Sequence, residues 1–139
     1  MDSSLSLSPD MYSDRQILVA EDNPANQLVI KKLLKKVGIV PVFGNNGQEA
    51  LDLYTADTSK WHLIFMDCEM PVMDGYTATK EMRSFEEQNS LSPKPIVGLS
   101  AHAIAEFREK ALNNGMSDYL TKPLNRELFY EALEKYLNS

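Results

Sequence analysis

The chain has 139 residues, 43% hydrophobic and 24% charged, a composition typical of one globular domain with a sizeable core. Its net charge of −6 argues against nucleic-acid contact by this segment, because nonspecific nucleic-acid binders are usually basic. The single cysteine, Cys68, excludes an internal disulfide and argues against a cysteine-based zinc site. No apolar run is long enough to cross a bilayer, so we expect no membrane insertion.

The first 14 residues contain five serines, no basic residue and no continuous apolar run. This composition predicts a disordered leader or linker at 1–14, followed by a single domain at 15–139. It does not resemble a secretory signal peptide, so we expect a reducing, cytoplasmic location.

Apolar runs rich in β-branched residues alternate with helical patterns along the rest of the chain. Strands are predicted at 16–20, 40–43, 61–66, 95–99 and 117–121. Helices are predicted at 24–37, from 48, at 75–85, 104–114 and 125–137, with a loop at 86–95. Asn23 and Asp74 are the expected helix caps, and Gly38 and Gly115 the expected stops.

The spacing of apolar residues predicts which helical side chains face the core. The first helix is expected to bury Val29, Ile30, Leu33, Leu34 and Val37. The second is expected to bury Ala50, Leu51 and Tyr54, and the last Leu128, Leu133 and Leu137. Five strands alternating with five helices predict an α/β fold, a doubly wound parallel sheet covered on both faces. In such sheets the binding crevice lies at the carboxyl ends of the strands.

Three acidic residues are predicted at that edge. Glu21 and Asp22 follow the first strand, and Asp67 follows the third. Three carboxylates in one crevice repel one another, and a divalent cation would relieve the repulsion. Oxygen ligands select a hard ion such as Mg²⁺. The alternative is that Glu21 and Asp22 are surface acids that cap a helix or face solvent.

A lysine and a hydroxyl are predicted at the same edge. Lys122 follows the fifth strand and precedes Pro123, whose peptide bond would direct the lysine if it were cis. Ser100 ends the fourth strand and can donate to an anionic oxygen. Taken alone, Lys122 is better explained as a solvated side chain and Ser100 as an ordinary loop residue. Together with Asp67 as nucleophile they support phosphoryl transfer to a carboxylate.

Four segments together resemble the receiver domain of two-component response regulators. They are Val-Ala-Glu-Asp-Asn at 19–23, Met-Asp-Cys-Glu-Met-Pro-Val-Met-Asp-Gly at 66–75, Leu-Ser-Ala at 99–101 and Tyr-Leu-Thr-Lys-Pro at 119–123. The resemblance covers about residues 15–138. It implies a flavodoxin-like fold with strand order 2-1-3-4-5 and a phosphorelay function that depends on Mg²⁺.

The resemblance also implies a role for each site residue. Asp67 becomes the phosphorylation site, and Lys122 contacts the phosphoryl group. Asp22 becomes a direct Mg²⁺ ligand, with Glu21 acting through water and the backbone carbonyl of Glu69 as a further ligand. Ser100 and Tyr119 become the switch residues.

The segments at 22–27, 70–75 and 100–103 resemble receivers fused to hybrid histidine kinases. This implies a histidine kinase or a histidine-containing phosphotransfer domain as partner. One alternative for the location is that this part is the cytoplasmic portion of a membrane-bound hybrid kinase. The alternative is a stand-alone single-domain response regulator. No enzymatic activity is expected beyond self-catalysed phosphotransfer and autodephosphorylation.

Two further hypotheses concern residues around this site. Leu28 lies off the predicted buried stripe beside Lys31 and Lys32, so it is a candidate anchor for an acidic partner's helix, although single exposed leucines are common. Glu69 and His102 lie two residues after Asp67 and Ser100, where they would flank attacking water and set the lifetime of the acyl phosphate.

Three other functions fit parts of the pattern. A phosphatase of haloacid-dehalogenase type also uses an aspartate nucleophile with Mg²⁺, and Glu69 would be its second acid. A flavin-binding module would need a phosphate loop after the first strand, where Glu21 and Asp22 would repel phosphate. A scaffold-only receiver would not need the complete set of acids and lysine.

Overall fold

The computed structural model describes residues 7–138 and contains a five-stranded parallel sheet with helices on both faces, as predicted. The strands are β1 (Ile17–Ala20), β2 (Val42–Gly44), β3 (Leu63–Asp67), β4 (Ile96–Ser100) and β5 (Asp118–Thr121). The helices are α1 (Pro24–Lys35), α2 (Gly47–Ala56), α3 (Gly75–Gln88), α4 (Ala105–Asn113) and α5 (Arg126–Leu137). A short 3₁₀ turn, Thr58–Lys60, precedes β3.

The strand order is β2-β1-β3-β4-β5, with every neighbouring pair parallel. The register pairs Ala20 with Met66 and Asp67 with Leu99. The ends of β1 and β3 are therefore level with each other. The order of strands reverses between these two strands, and a binding crevice is expected at such a switch point.

Side-chain caps fix where the helices begin. The Asn23 side chain accepts hydrogen bonds from the N–H groups of Ala25 and Asn26, and Asp74 accepts one from Thr77. These bonds satisfy backbone donors that have no partner within the helix. The loops after β1 and β3 therefore end at the predicted caps, which holds the acidic residues before α1 and α3 in short connections.

The two faces of the sheet form two separate cores. Residues that alternate along the strands, such as Val19 and Phe65, pack against α1 and α5. Their neighbours, such as Leu18 and Met66, pack against α2, α3 and α4. All residues of β1, β3 and β4 are buried, as expected for parallel strands covered on both sides.

Two predicted core positions are wrong. Val29 is 47% exposed and Leu128 is 50% exposed. Each helix meets the sheet along a narrower strip than the apolar pattern suggests: Ile30 and Leu34 are the buried residues of α1, and Phe129, next to Leu128, faces the sheet from α5. Periodicity identifies the direction of a buried face but not its width.

Some predicted boundaries are also wrong. The second strand begins at Val42, and Val40 is 80% exposed. The third helix continues to Gln88 instead of ending at Phe85, because Glu86 is buried and fully paired. Its carboxylate accepts hydrogen bonds from the Tyr54 hydroxyl, the Arg83 guanidinium and the Lys94 N–H.

The predicted disordered leader requires a correction for its described part. Tyr12 is 4% exposed, packs in the core beside α1, and donates its N–H to the Val37 carbonyl at 2.8 Å. The turn at 9–14 is therefore held against the domain. Residues 1–6 lie outside the described residues.

Candidate functional site

Three carboxylates meet where β1 and β3 end. One oxygen from each of Glu21, Asp22 and Asp67 lies within 4.8 Å of the other two. Glu21 and Asp67 are buried, at 0% and 2% exposure, whereas Asp22 is exposed. The parallel register therefore brings together acids that are 45 residues apart in sequence (67 − 22).

Lys122 reaches into this cluster from the loop after β5. Its Nζ lies 2.9 Å from Glu21 Oε1 and 3.1 Å from Asp67 Oδ2. The Lys122–Pro123 peptide bond is cis. Burial alone would lower the pKa of Lys122, but contact with the two carboxylates outweighs burial and raises it. Lys122 is thus a fixed cation between two buried acids.

Ionisation of Asp67 is unfavourable in this setting. Its pKa is raised from 3.8 to about 7, first because the carboxyl is buried and second because Glu21 repels its charge. Contact with Lys122 and a hydrogen bond from the Glu69 N–H, at 3.1 Å, oppose the shift without cancelling it. One lysine therefore does not neutralise the cluster.

Ser100 and Glu69 are joined directly. The buried Ser100 hydroxyl lies 3.2 Å and 3.1 Å from the two carboxylate oxygens of Glu69. The Ala101 N–H and the Tyr76 hydroxyl also donate to Glu69, both at 3.4 Å. The Glu69 side chain thus bridges the β3 and β4 ends of the crevice.

Tyr119 is linked to Ser100 through the backbone of His102. The Tyr119 hydroxyl donates to the His102 carbonyl at 2.6 Å, and the His102 N–H donates to Ser100 Oγ at 3.1 Å. The His102 ring stacks on Phe107, with centroids 4.1 Å apart. The two predicted switch residues are therefore in one hydrogen-bonded chain.

Two residues support the site that sequence reasoning did not assign to it. Gln27 donates from Nε2 to the Glu21 carbonyl at 2.6 Å and to Asn45 at 2.9 Å. Gly75 leaves room for the backbone of Asp67, because a Cβ at this position would lie 2.1 Å from the Asp67 carbonyl oxygen. Both residues lie within segments that resemble receiver domains, Gln27 in 22–27 and Gly75 in 66–75. This resemblance was the sequence signal that could have assigned them to the site.

The predicted docking residues lie on the exposed part of α1. Leu28 is 51% exposed, and Lys31 and Lys32 are exposed. Val29 from α1 lines a cavity of about 120 Å³ that extends to Lys122 and the loop that follows it. The surface of α1 is thus continuous with the site.

The cluster fits a hard divalent cation. All three side chains offer carboxylate oxygens, and among residues 7–138 the two buried ones are contacted by a single lysine, Lys122. Within residues 7–138, no helix is both long and apolar enough to span a membrane.

The fold and the site define a class: doubly wound α/β domains with an acidic centre at the switch point of the sheet. Residues 17–134 match the family "Response regulator receiver domain". The chain belongs to this family, which confirms the resemblance and leaves no support for the phosphatase alternative.

Relatives in longer proteins are also similar. The chain is 38% identical over 132 residues to hybrid signal transduction histidine kinase I of Dictyostelium discoideum, covering 93% of the chain and 8% of the kinase. It is 38% identical over 121 residues to sensor histidine kinase GacS of Pseudomonas protegens, covering 87% of the chain and 13% of that protein. The chain thus spans about a tenth of these relatives' length.

Two solved structures share the fold closely. The receiver domain of Saccharomyces cerevisiae Ssk1, crystallised with the histidine phosphotransfer protein Ypd1, matches with a TM-score of 0.83 and 35% identity, covering 88% of each chain. The receiver domain of a Pseudomonas aeruginosa sensor histidine kinase, with Mg²⁺ in its active-site cleft, matches with a TM-score of 0.78 and 37% identity, covering 90% of this chain and 98% of the other.

Proposed function

We propose that this receiver domain accepts a phosphoryl group from a phosphohistidine onto Asp67, in a reaction that requires Mg²⁺. The observation that carries the proposal is the position of Asp67, buried beside Glu21, Asp22 and Lys122 at the switch point of the sheet. A carboxylate in a purely structural role would not be expected beside two other acids whose charge Lys122 offsets only in part.

The transfer forms one bond and breaks another. A carboxylate oxygen of Asp67 attacks phosphorus, the phosphorus–nitrogen bond of the donor breaks, and its electron pair stays on the imidazole. Lys122, which already contacts Asp67 Oδ2, would pair with an oxygen of the arriving group. Such catalysis consists mainly of positioning and charge stabilisation, so few side chains suffice.

Asp22, Asp67 and the backbone carbonyl of Glu69 would hold the Mg²⁺ directly, with Glu21 acting through water. When bound, Mg²⁺ supplies positive charge that offsets the phosphoryl oxygens. Without a cation, the raised pKa of Asp67 means that this carboxyl resists ionisation. A bound Mg²⁺ would favour the ionised, nucleophilic form, which supports the proposal.

Ser100 and Tyr119 would report the phosphorylated state. A hydrogen bond from Ser100 to the phosphoryl group would change the bonding of His102, whose carbonyl holds the Tyr119 hydroxyl. This chain of contacts connects the crevice to the surface formed by α4 and β5.

The partner is proposed to be a histidine kinase or a histidine-containing phosphotransfer domain. The similarity to a receiver crystallised with such a domain supports this proposal. Protein partners also suit the net charge of −6 better than nucleic acid does. We place the domain in the cytoplasm, as part of a longer hybrid kinase or as a single-domain regulator.

Docking is proposed to use Leu28 with Lys31 and Lys32. Leu28→Asp should slow transfer from a phosphorylated phosphotransfer protein but leave phosphorylation by acetyl phosphate unchanged. The matched control is Leu112→Asp, an exposed leucine of α4 on the opposite face of the sheet. Equal transfer rates in both variants would show that Leu28 takes no part in docking.

The lifetime of the acyl phosphate is proposed to depend on Glu69 and His102. The double variant Glu69→Ala, His102→Ala should still be phosphorylated, but its phosphoryl group should decay with a different half-life. Decay of the ³²P-labelled proteins measures this directly. Indistinguishable half-lives would refute the role.

The main test is intact-mass spectrometry after incubation with acetyl phosphate, with and without Mg²⁺. Wild type should gain one phosphoryl group only with Mg²⁺, and Asp67→Asn should gain none. Asp52→Asn, at an exposed acid of α2, is the matched control and should react normally. Failure of wild type to bind beryllofluoride, a phosphoryl analogue, would favour a scaffold-only receiver.

A further inference from the structure

Before any phosphoryl group is present, the switch hydroxyl already has an anionic acceptor. Both carboxylate oxygens of Glu69 lie within hydrogen-bonding distance of Ser100 Oγ, at 3.2 Å and 3.1 Å. Glu69 itself is exposed, whereas Ser100 is fully buried. An exposed glutamate would ordinarily extend into water, but here it turns to a buried hydroxyl and the Ala101 N–H.

Ser100 cannot serve two acceptors at once. A serine hydroxyl has one hydrogen to donate, and its oxygen already accepts the His102 N–H at 3.1 Å. In the proposed function this hydrogen goes to the phosphoryl group on Asp67. The Glu69 carboxylate and the phosphoryl group therefore require the same donor.

The two acceptors are also held close together. The Glu69 N–H donates to Asp67 Oδ1 at 3.1 Å, so the backbone that carries Glu69 is fixed to the phosphorylation site. Two anions in this space would repel each other as well as compete. Occupancy by one therefore disfavours occupancy by the other.

We propose that the Glu69 side chain is an internal competitor that occupies Ser100 in the unphosphorylated state and must be displaced before the phosphoryl group can bind Ser100. The proposal rests on the proposed function of Asp67 and deepens it. Glu69 acts here as a positioning residue, because its carboxylate works through Ser100. Its contact keeps the path from Ser100 through His102 to Tyr119 bonded in the resting state.

The test is a double-mutant cycle on beryllofluoride affinity in the presence of Mg²⁺, measured by titration calorimetry. The four proteins are wild type, Glu69→Ala, Ser100→Ala and the double variant. Glu69→Ala should tighten binding about threefold to tenfold, the net worth of one hydrogen bond. In the Ser100→Ala background the same change should alter affinity less than about twofold, because no shared donor remains.

The outcomes separate this proposal from the proposed function. Equal affinities for wild type and Glu69→Ala would overturn the competition and leave phosphorylation of Asp67 intact. If Glu69→Ala changed beryllofluoride affinity equally in the Ser100→Ala background, Glu69 would act by charge repulsion alone. That result would overturn the proposal. Absence of beryllofluoride binding by wild type would overturn both.

A second measurement needs neither Mg²⁺ nor a phosphoryl analogue. Glu69→Ala should shift the amide resonances of Ala101 and His102 in ¹H–¹⁵N spectra, because both amides belong to the Glu69–Ser100 contact. Glu87→Ala, at an exposed glutamate of α3, is the control and should leave them in place. Unshifted amides in Glu69→Ala would show that the contact is not formed in solution and would overturn the proposal.

Discussion

The acidic cluster should destabilise the metal-free protein, and Asp67→Asn should therefore stabilise it. The pKa of Asp67 rises from 3.8 to about 7 on folding. At about 1.4 kcal/mol for each tenfold change, ionising Asp67 costs about 4 kcal/mol more in the folded protein than in the unfolded chain. An amide removes that charge but fits a site shaped for a carboxyl less well, so we expect a net gain of about 2 kcal/mol.

The pH dependence has a defined sign. The folded protein retains the Asp67 proton up to about pH 7, whereas the unfolded chain loses it near pH 3.8. Between these values the folded state binds more protons, so the free energy of unfolding of wild type falls as pH rises. Asp67→Asn lacks this contribution, so its advantage over wild type in free energy of unfolding should be about 3 kcal/mol greater at pH 8 than at pH 5.

Urea and thermal unfolding with a chelator present would measure the difference. At pH 8 the variant should melt about 8 °C above wild type, because a domain of this size gains about 4 °C for each kcal/mol. Added Mg²⁺ should stabilise wild type more than the variant and narrow the gap. A variant no more stable than wild type at pH 8 without metal would refute the electrostatic reasoning.

Three further substitutions test other parts of the structure. Lys122→Met should lower the free energy of unfolding of the metal-free protein at pH 8 by about 3 kcal/mol in urea unfolding, because two buried acids lose the cation that contacts them both. Unchanged stability would contradict the pairing. Glu86→Ala should lower the free energy of unfolding by about 3 kcal/mol in urea unfolding, because the buried hydroxyl of Tyr54 loses its acceptor. A loss of less than about 0.5 kcal/mol would show that this hydrogen bond is unimportant for stability. Gly75→Ala should lower the free energy of unfolding by about 2 kcal/mol and reduce Mg²⁺-dependent phosphorylation, because its Cβ would collide with the Asp67 carbonyl. Normal stability with normal phosphorylation would show that the backbones at Gly75 and Asp67 are not so close.

The sequence alone determined the order of elements and the edge where function is expected. Apolar strands followed directly by Glu21, Asp67 or Lys122 are local features, and parallel strands bring their ends to one edge. Caps such as Asn23 and Asp74 are also local, which is why both were predicted correctly.

Only the tertiary structure decided which polar groups are buried and what pairs with them. Glu86 looked like a loop residue, but Tyr54, 32 residues earlier, supplies the partner that allows its burial. Likewise, Val29 belongs to an apolar stripe yet remains exposed, because the width of a helix contact depends on the neighbouring elements.

The contact between Glu69 and Ser100 shows most clearly the difference between what the sequence determines and what the tertiary structure decides. Each residue has a visible place in its own segment, but 31 positions separate them in sequence. Their hydrogen bond exists because β3 and β4 pair in one register and end at the same level. Sequence patterns specify the conformation of a segment, whereas burial, pairing and pKa depend on which distant groups the fold places within a few ångströms.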